Sequence, residues 1–170
     1  MKLDGIIHTL PKPAKLLVGF FIVTLSFGYF TGLRFVNENT ATTTKGIEEH
    51  YLGNEADENA TIMRFKKSEK EIITTVHNHV ISMSFIFLIL GGLLLTTSIH
   101  PLLKKILVIE PFISIVLTFG GIWLMWNGVL WLKYIVICSG VLLTVTYSVS
   151  VAFILSQLTK KTPSNRELKQ

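Results

Sequence analysis

At 170 residues the chain could make one soluble domain, but 49% of it is apolar, 11% aromatic and only 16% charged, with a mean hydropathy above zero; that balance belongs to membrane proteins. The formal charge of +5 is divided among short segments that flank apolar runs, a distribution that sets topology rather than one that reads a nucleic acid, so no nucleic-acid partner is expected. The single cysteine, Cys138, lies inside an apolar run and excludes a disulfide framework or a CxxC motif.

In chain order, residues 1–15 carry Lys2, Lys12 and Lys15 and are predicted to be a cytoplasmic N-terminus. Residues 16–33 form the first of four stretches long enough to cross about 30 Å of hydrocarbon, which takes roughly 20 helical residues. A basic start before an apolar run also suits a signal peptide. The run is long, however, and TGLRFVNENT offers no A-x-A-like cleavage site, so a retained anchor is expected.

Residues 34–78 form an exported loop and helix lead-in of about 45 residues. Its six basic residues are diluted by eight acids, and it is too poor in large apolar residues to fold alone, so it should lie across the outer mouth of the bundle. TKGIEEHYLG, residues 44–53, predicts a short helix stopped by a glycine, with its acids early enough to favour the positive end of the helix dipole. Ser68-Glu-Lys-Glu71 is a capping box just ahead of Ile72, Ile73 and Val76. It predicts a helix start near Glu69 that continues through the second span, 79–99.

A turn at 100–105 holds Lys104 and Lys105, the third span occupies 106–126, a tight turn lies at 127–128, the fourth span is 129–155, and a cytoplasmic tail, 156–170, carries Lys160, Lys161, Arg166 and Lys169. The three basic segments fall on one side, which puts both termini in the cytoplasm. Trp123, Trp126, Trp131 and Tyr134 surround the 127–128 turn as an interfacial belt, and Lys133 is expected to snorkel to the headgroups there. Gly28-x-x-x-Gly32, Gly91-Gly92, Gly120-Gly121 and Ser139-Gly140 mark the expected helix contacts. The fold class is therefore all-α: a polytopic membrane four-helix bundle with one exported loop.

Two groups of residues could carry chemistry. His77 and His79 are two apart on a helix and project to separate faces, so they do not chelate one ion unaided. His79 and Met83, four apart, share a face, and an N/S pair suits copper or a haem iron. His50 in the loop is a further ligand: with His77 or His79 it could hold haem b near the outer surface. Histidines at an interface also tolerate the wet boundary with no cofactor at all, and that alternative stays open. His8 and His100 form a second candidate pair on the opposite side.

The other singular residue is Glu110, an intramembrane carboxylate in KKILVIEPFISIV. A charge at the bilayer centre costs on the order of 2.5–3.5 kcal/mol, so such a residue is a candidate for function by default. Pro111 also leaves the Leu107 carbonyl without its helical donor. The bland alternative pairs Glu110 with Lys104, Lys105 or a backbone donor at the rim. No phosphate loop, nucleophile elbow or zincin motif is present, so no catalytic residue is assigned.

The stretches KSEKEIITTVHNHVISMSFIFLILGGLLL and IEPFISIVLTFGGIWLMW resemble a family of small four-span bacterial inner-membrane proteins of unassigned role. The resemblance implies a four-helix bundle in the bacterial inner membrane with a respiratory association, and no activity. The H-x-H at the start of the second span also resembles helices that hold haem in respiratory membrane subunits.

The leading expectation is an accessory membrane component of a respiratory or redox system, with Glu71, His77, His79, Met83 and His50 as an outer cluster for haem b or copper. Two alternatives stand beside it. One is a structural subunit or assembly partner, without a cofactor, of a larger membrane complex or of copies of itself. The other is a transporter subunit that uses Glu110.

Overall fold

The structure is a computed structural model, and it describes residues 3–160. Lys2, Lys161, Arg166 and Lys169 of the charge pattern lie outside the described residues. Every regular element among the described residues is helical: α1 (Ile6–Thr9), α2 (Lys12–Thr40), α3 (Thr44–Leu52), α4 (Glu69–Leu95), α5 (Pro101–Ile115), a π-helical segment (Val116–Gly120), α6 (Gly121–Trp126) and α7 (Leu132–Leu158).

Four helices are long and apolar enough to cross a membrane: α2, α4, the continuous run from α5 through the π segment to α6, and α7. They differ in how they share the interior. Only 6% of the apolar window of α2 is buried, against 44% of that of the third helix. The bundle is thus organised by α4, the third helix and α7, and α2 lies along its side with Phe20, Phe27 and Phe35 turned outward. In lipid, association cannot rest on apolar surface alone, so close packing must supply it. The core provides that through Phe87, Leu90 and Leu94 of α4, Ile115 of α5, Met125 of α6, and Tyr147 and Ile154 of α7.

Local chemistry explains the ends of the elements. Ser68 caps α4, accepting from the Glu71 amide at 3.4 Å, while the Glu71 carboxylate accepts from the Ser68 amide at 2.8 Å. Helix α3 spans the TKGIEEHYLG signal and stops at Gly53, but its N-cap is Thr43, which puts Glu48 and Glu49 beyond the first turn. The expected help from the helix dipole is therefore absent. Before α3 the chain reverses through Ala41 and Thr42 at φ of 48° and 51°, a left-handed stretch that costs roughly 1–2 kcal/mol per residue. Gly46 fits there because a Cβ would collide with the Thr40 carbonyl.

The glycines divide in a way their spacing does not reveal. A Cβ on Gly121 would meet Val136 at 2.9 Å and one on Gly91 would meet Val108 at 3.6 Å, so these two lie at helix crossings. Gly28, Gly32, Gly92, Gly120 and Gly140 have nothing within 4 Å. The contacts expected at those five positions are not made within the chain.

At one end of the bundle α1 folds under the helix ends, with Ile7 fully buried and its amide donating to the Thr96 carbonyl at 3.2 Å. Lys104 is buried there. It donates to the Thr97 carbonyl at 2.6 Å, to the Leu95 carbonyl at 3.4 Å, and to Asp4. An ammonium thus sits on the carbonyl end of α4, where the helix dipole favours a cation. At the other end α3 packs on α2, α6 and α7, and the 53–67 segment reaches α2 through Arg64 on the Asn39 carbonyl and α6 through Lys66 over the Trp126 ring. Trp126 Nε1 donates to the Lys67 carbonyl at 2.8 Å. Lys133 meets Glu48 of α3 at 2.5 Å instead of reaching for headgroups, because α3 brings a carboxylate within its reach.

Candidate functional site

The residues of the loop end are spread over separate elements. His50 sits on α3, which packs against α2, α6 and α7, whereas His77, His79 and Met83 belong to α4. His50 is half-buried, edge-on to Tyr51 at 4.8 Å. Burial pushes its imidazole below the usual histidine range, and the cations Lys67 and Arg64 push in the same direction. Tyr51 beside it is pushed up to about 12 by burial, so its phenol stays protonated.

His77 is exposed and lines a shallow cleft with Glu69, Ile73 and Trp123. His79 is also exposed; its Nδ1 donates to the Thr75 carbonyl at 2.8 Å, and its ring lies on Phe119 at 4.9 Å. Met83 is partly buried against the core. Glu71 is occupied by the Ser68 cap. Among the described residues, no group of three or more His, Cys, Asp or Glu side chains gathers as a metal site. His8 is bound through Nδ1 to the Gln157 carbonyl and through Nε2 to Ser98, while His100 is exposed at the start of α5.

The interior holds a denser set of polar groups, along the packing line of α5 and α7. Thr118 and Ser139 share a hydrogen bond at 2.7 Å, and Gly121 abuts Val136. These two contacts fix the antiparallel register of the helices. The buried line of α7 is polar: Ser139, Thr146, Ser150 and Gln157 are each 5% exposed or less.

Glu110 stands in the middle of this line. Its Oε1 accepts from the Ser114 hydroxyl one turn along, and neither Lys104 nor Lys105 reaches it, since Lys104 is held by Asp4 and the end of α4. The Tyr29 ring of α2 stacks on Tyr147 at 3.7 Å, and its hydroxyl interacts with Thr144 and lies within electrostatic reach of Glu110. The Tyr147 hydroxyl is bound to Ser26 at 3.1 Å. Among the described residues two buried side-chain oxygens have no hydrogen-bond partner, Glu110 Oε2 and Ser150 Oγ. Both belong to this region.

Leaving a buried polar group unpartnered costs about 1–3 kcal/mol, and more when it is charged. Two such atoms on neighbouring helices, one of them beside a proline that withholds a backbone donor, make this the least satisfied region among the described residues. Sequence reasoning singled out Glu110 but missed its surroundings. The i, i+4 spacing of Glu110, Ser114 and Thr118 was the available signal. The contribution of α7 depends on inter-helix register, which no local pattern carries.

A family of transmembrane helical domains matches residues 40–165, well over half of the chain. No curated protein matches, and no solved structure matches. With four apolar helices in contact with lipid, the chain is a multi-pass membrane protein and belongs to that family of transmembrane helical domains.

Proposed function

We propose that the chain is a transporter-type membrane component whose working group is Glu110, a carboxylate that takes up and releases a proton inside the bundle. The observation that carries this reading is the buried Oε2 without a partner, next to an Oε1 already held by Ser114. An ionised carboxylate in this position must be neutralised, and a proton is the simplest neutraliser. Its titratable neighbour is Tyr29 of α2, which is itself stacked on Tyr147 of α7. Helix α4 carries no titratable side chain after His79. In the orientation that the lysines favour, both ends of the chain lie in the cytoplasm of a bacterial inner membrane, and Glu110 lies nearer that side. A single bundle leaves little room for a path, so the working form pairs with copies of itself or with a larger complex, and the open face of α2 with Gly28 and Gly32 is available for that.

Infrared difference spectra of the protein in nanodiscs, recorded between acidic and alkaline buffer, test the reading. A carboxylic-acid band of a water-excluded carboxyl is expected, and Glu110→Gln should abolish it. A native spectrum in which Glu110→Gln removes no such band would overturn the proposal.

The redox reading keeps one supporting observation. The bond from His79 Nδ1 to the Thr75 carbonyl leaves Nε2 as the acceptor nitrogen, which is how a backbone carbonyl orients a ligating imidazole. Purified protein with a haem Soret band, or with stoichiometric copper, either of them lost in His79→Ala, would move the function to the loop end.

A further inference from the structure

We infer that the cleft between α4 and α6 at the loop end is a binding site for one aminophospholipid, with its headgroup ammonium on Glu69 and an acyl chain lying along Val80 and Ile81. The inference is independent of the Glu110 reading and concerns the other end of the bundle.

The cleft has a volume of about 420 Å³. Glu69, Ile73, His77 and Ile81 line it at four-residue spacing, so they form a single row along α4. Val80 stands beside the row, and Trp123 of α6 forms the opposite wall. The apolar members are open to their surroundings: Ile73 is 51%, Ile81 44% and Trp123 46% exposed. The two polar members are free. Among the described residues neither the Glu69 carboxylate nor the His77 ring has a hydrogen-bond or ion-pair partner. The nearby cations are engaged elsewhere, since Lys67 pairs with Glu71 at 3.8 Å and Lys66 lies over the Trp126 ring at 4.7 Å. Lys70 is exposed and does not line the cleft.

Depth in the bilayer selects the ligand. The Leu95 carbonyl, bound by Lys104, marks the opposite end of the bundle. Counting back from it, about 20 residues at 1.5 Å each cover the hydrocarbon layer and reach Val76. His77 therefore lies at the boundary, where the Trp123 indole is also at home, and Val80 and Ile81 lie among acyl chains. Glu69 stands about 10 Å further out, at the edge of the headgroup layer. A matching ligand is apolar at its deep end, accepts a hydrogen bond at the boundary and carries a cation at its outer end. A phospholipid with an ethanolamine head has these parts in this order. Its phosphate and ester oxygens accept from the His77 N–H, and its ammonium donates to the Glu69 carboxylate. A soluble amine would leave the apolar wall unused, and an anionic headgroup would meet Glu69 with like charge.

Photolabelling of the full chain in nanodiscs tests the site. Phosphatidylethanolamine and phosphatidylglycerol that carry the same photoreactive acyl chain are added in trace amounts, and labelled peptides are identified by mass spectrometry. The stretch from Ile73 to Ile81, together with Trp123, should be labelled about threefold more by the ethanolamine lipid, a ratio within reach of one exposed ion pair. The net positive charge of the chain favours the anionic lipid in general, so Phe27 on the outward face of α2 should show no such preference and serves as the reference. Glu69→Gln should remove the preference, whereas Glu58→Gln, at an exposed acid outside the cleft, should keep it. Circular dichroism confirms that both variants are folded. Absent or equal labelling of the native cleft by the two lipids, or a preference that survives Glu69→Gln, would overturn the site.

Discussion

The loop-end histidines and the Glu110 region each contain ionisable side chains on long apolar helices, and the fold treats them in opposite ways. His79 borrows a carbonyl from its own helix, rests its ring on Phe119 and stays exposed, as does His77. Glu110 has one oxygen satisfied within its own helix, while the other is buried against a neighbouring helix with nothing to bind. At a wet boundary a polar side chain is cheap to keep, because water or its own backbone completes it. In hydrocarbon the same economy is lost, and an unresolved oxygen signals that something else must complete it. Position near a membrane therefore says little about a histidine, while burial says a good deal about a carboxylate.

Substitutions at the two regions can break that contrast, and the largest effect belongs inside the bundle. Tyr147 is fully buried, stacked on Tyr29 and edge-on to Phe87. Tyr147→Ala should destabilise the chain by about 3–5 kcal/mol, read from unfolding in mixed micelles followed by circular dichroism. A loss below about 1 kcal/mol would mean that the packing of α7 against α2 and α4 does not organise the fold.

Lys104→Met keeps the length of the side chain but frees the Thr97 and Leu95 carbonyls and Asp4. A loss of about 1–3 kcal/mol is expected, together with faster proteolysis ahead of α2. Unchanged protease resistance would show that Ile7 and His8 hold α1 without the Lys104 contacts. Ser68→Ala removes one half of a reciprocal cap and should cost about 1 kcal/mol. Faster amide exchange confined to the first turn of α4 is the accompanying sign, and exchange unchanged there would contradict it.

At the small end, His79→Ala in the protein without cofactor should change stability by no more than about 0.5 kcal/mol. A cost approaching that of Tyr147→Ala would erase the contrast between the regions. His50 adds a pH dependence of known sign. Burial, with Lys67 and Arg64, lowers its affinity for a proton when α3 is docked. The undocked loop therefore binds the proton better. The docking energy of α3 is intact above the ordinary histidine range, near 6.5, and declines as pH falls through it. The protection of the α3 amides against exchange, relative to their intrinsic rates at each pH, should fall between pH 7 and pH 5 in the native chain but not in His50→Gln.

What could be read from the sequence was local or compositional. Hydropathy length marks the four long helices, the Ser68 and Glu71 pair sets the start of α4, and Gly53 ends α3; each needs only neighbours along the chain. Glu110 was visible because a lone carboxylate in an apolar run is conspicuous. Ser150 was not, since a serine in a membrane helix ordinarily bonds to its own backbone. Its unpartnered hydroxyl is a property of the helix it faces. Lys104 was read as a topology charge, and nothing nearby in the chain announces that residue 4 and the end of α4 will enclose it. The π segment that brings Thr118 opposite Ser139 is likewise a compromise between helices.

The bonds that hold α1 under the bundle join residues very far apart in the chain, Asp4 to Lys104 and His8 to Gln157. During synthesis at roughly 5–20 residues per second, the first of these partners leaves the ribosome only after two of the long helices are complete, and the second only with the last. The leading segment therefore finds its partners in stages, at Thr96 and Lys104 once two long helices are made and at Gln157 only with the last. A nascent chain stalled before residue 157 would lack the His8–Gln157 part of this closure, so that contact can serve as a readout of complete insertion.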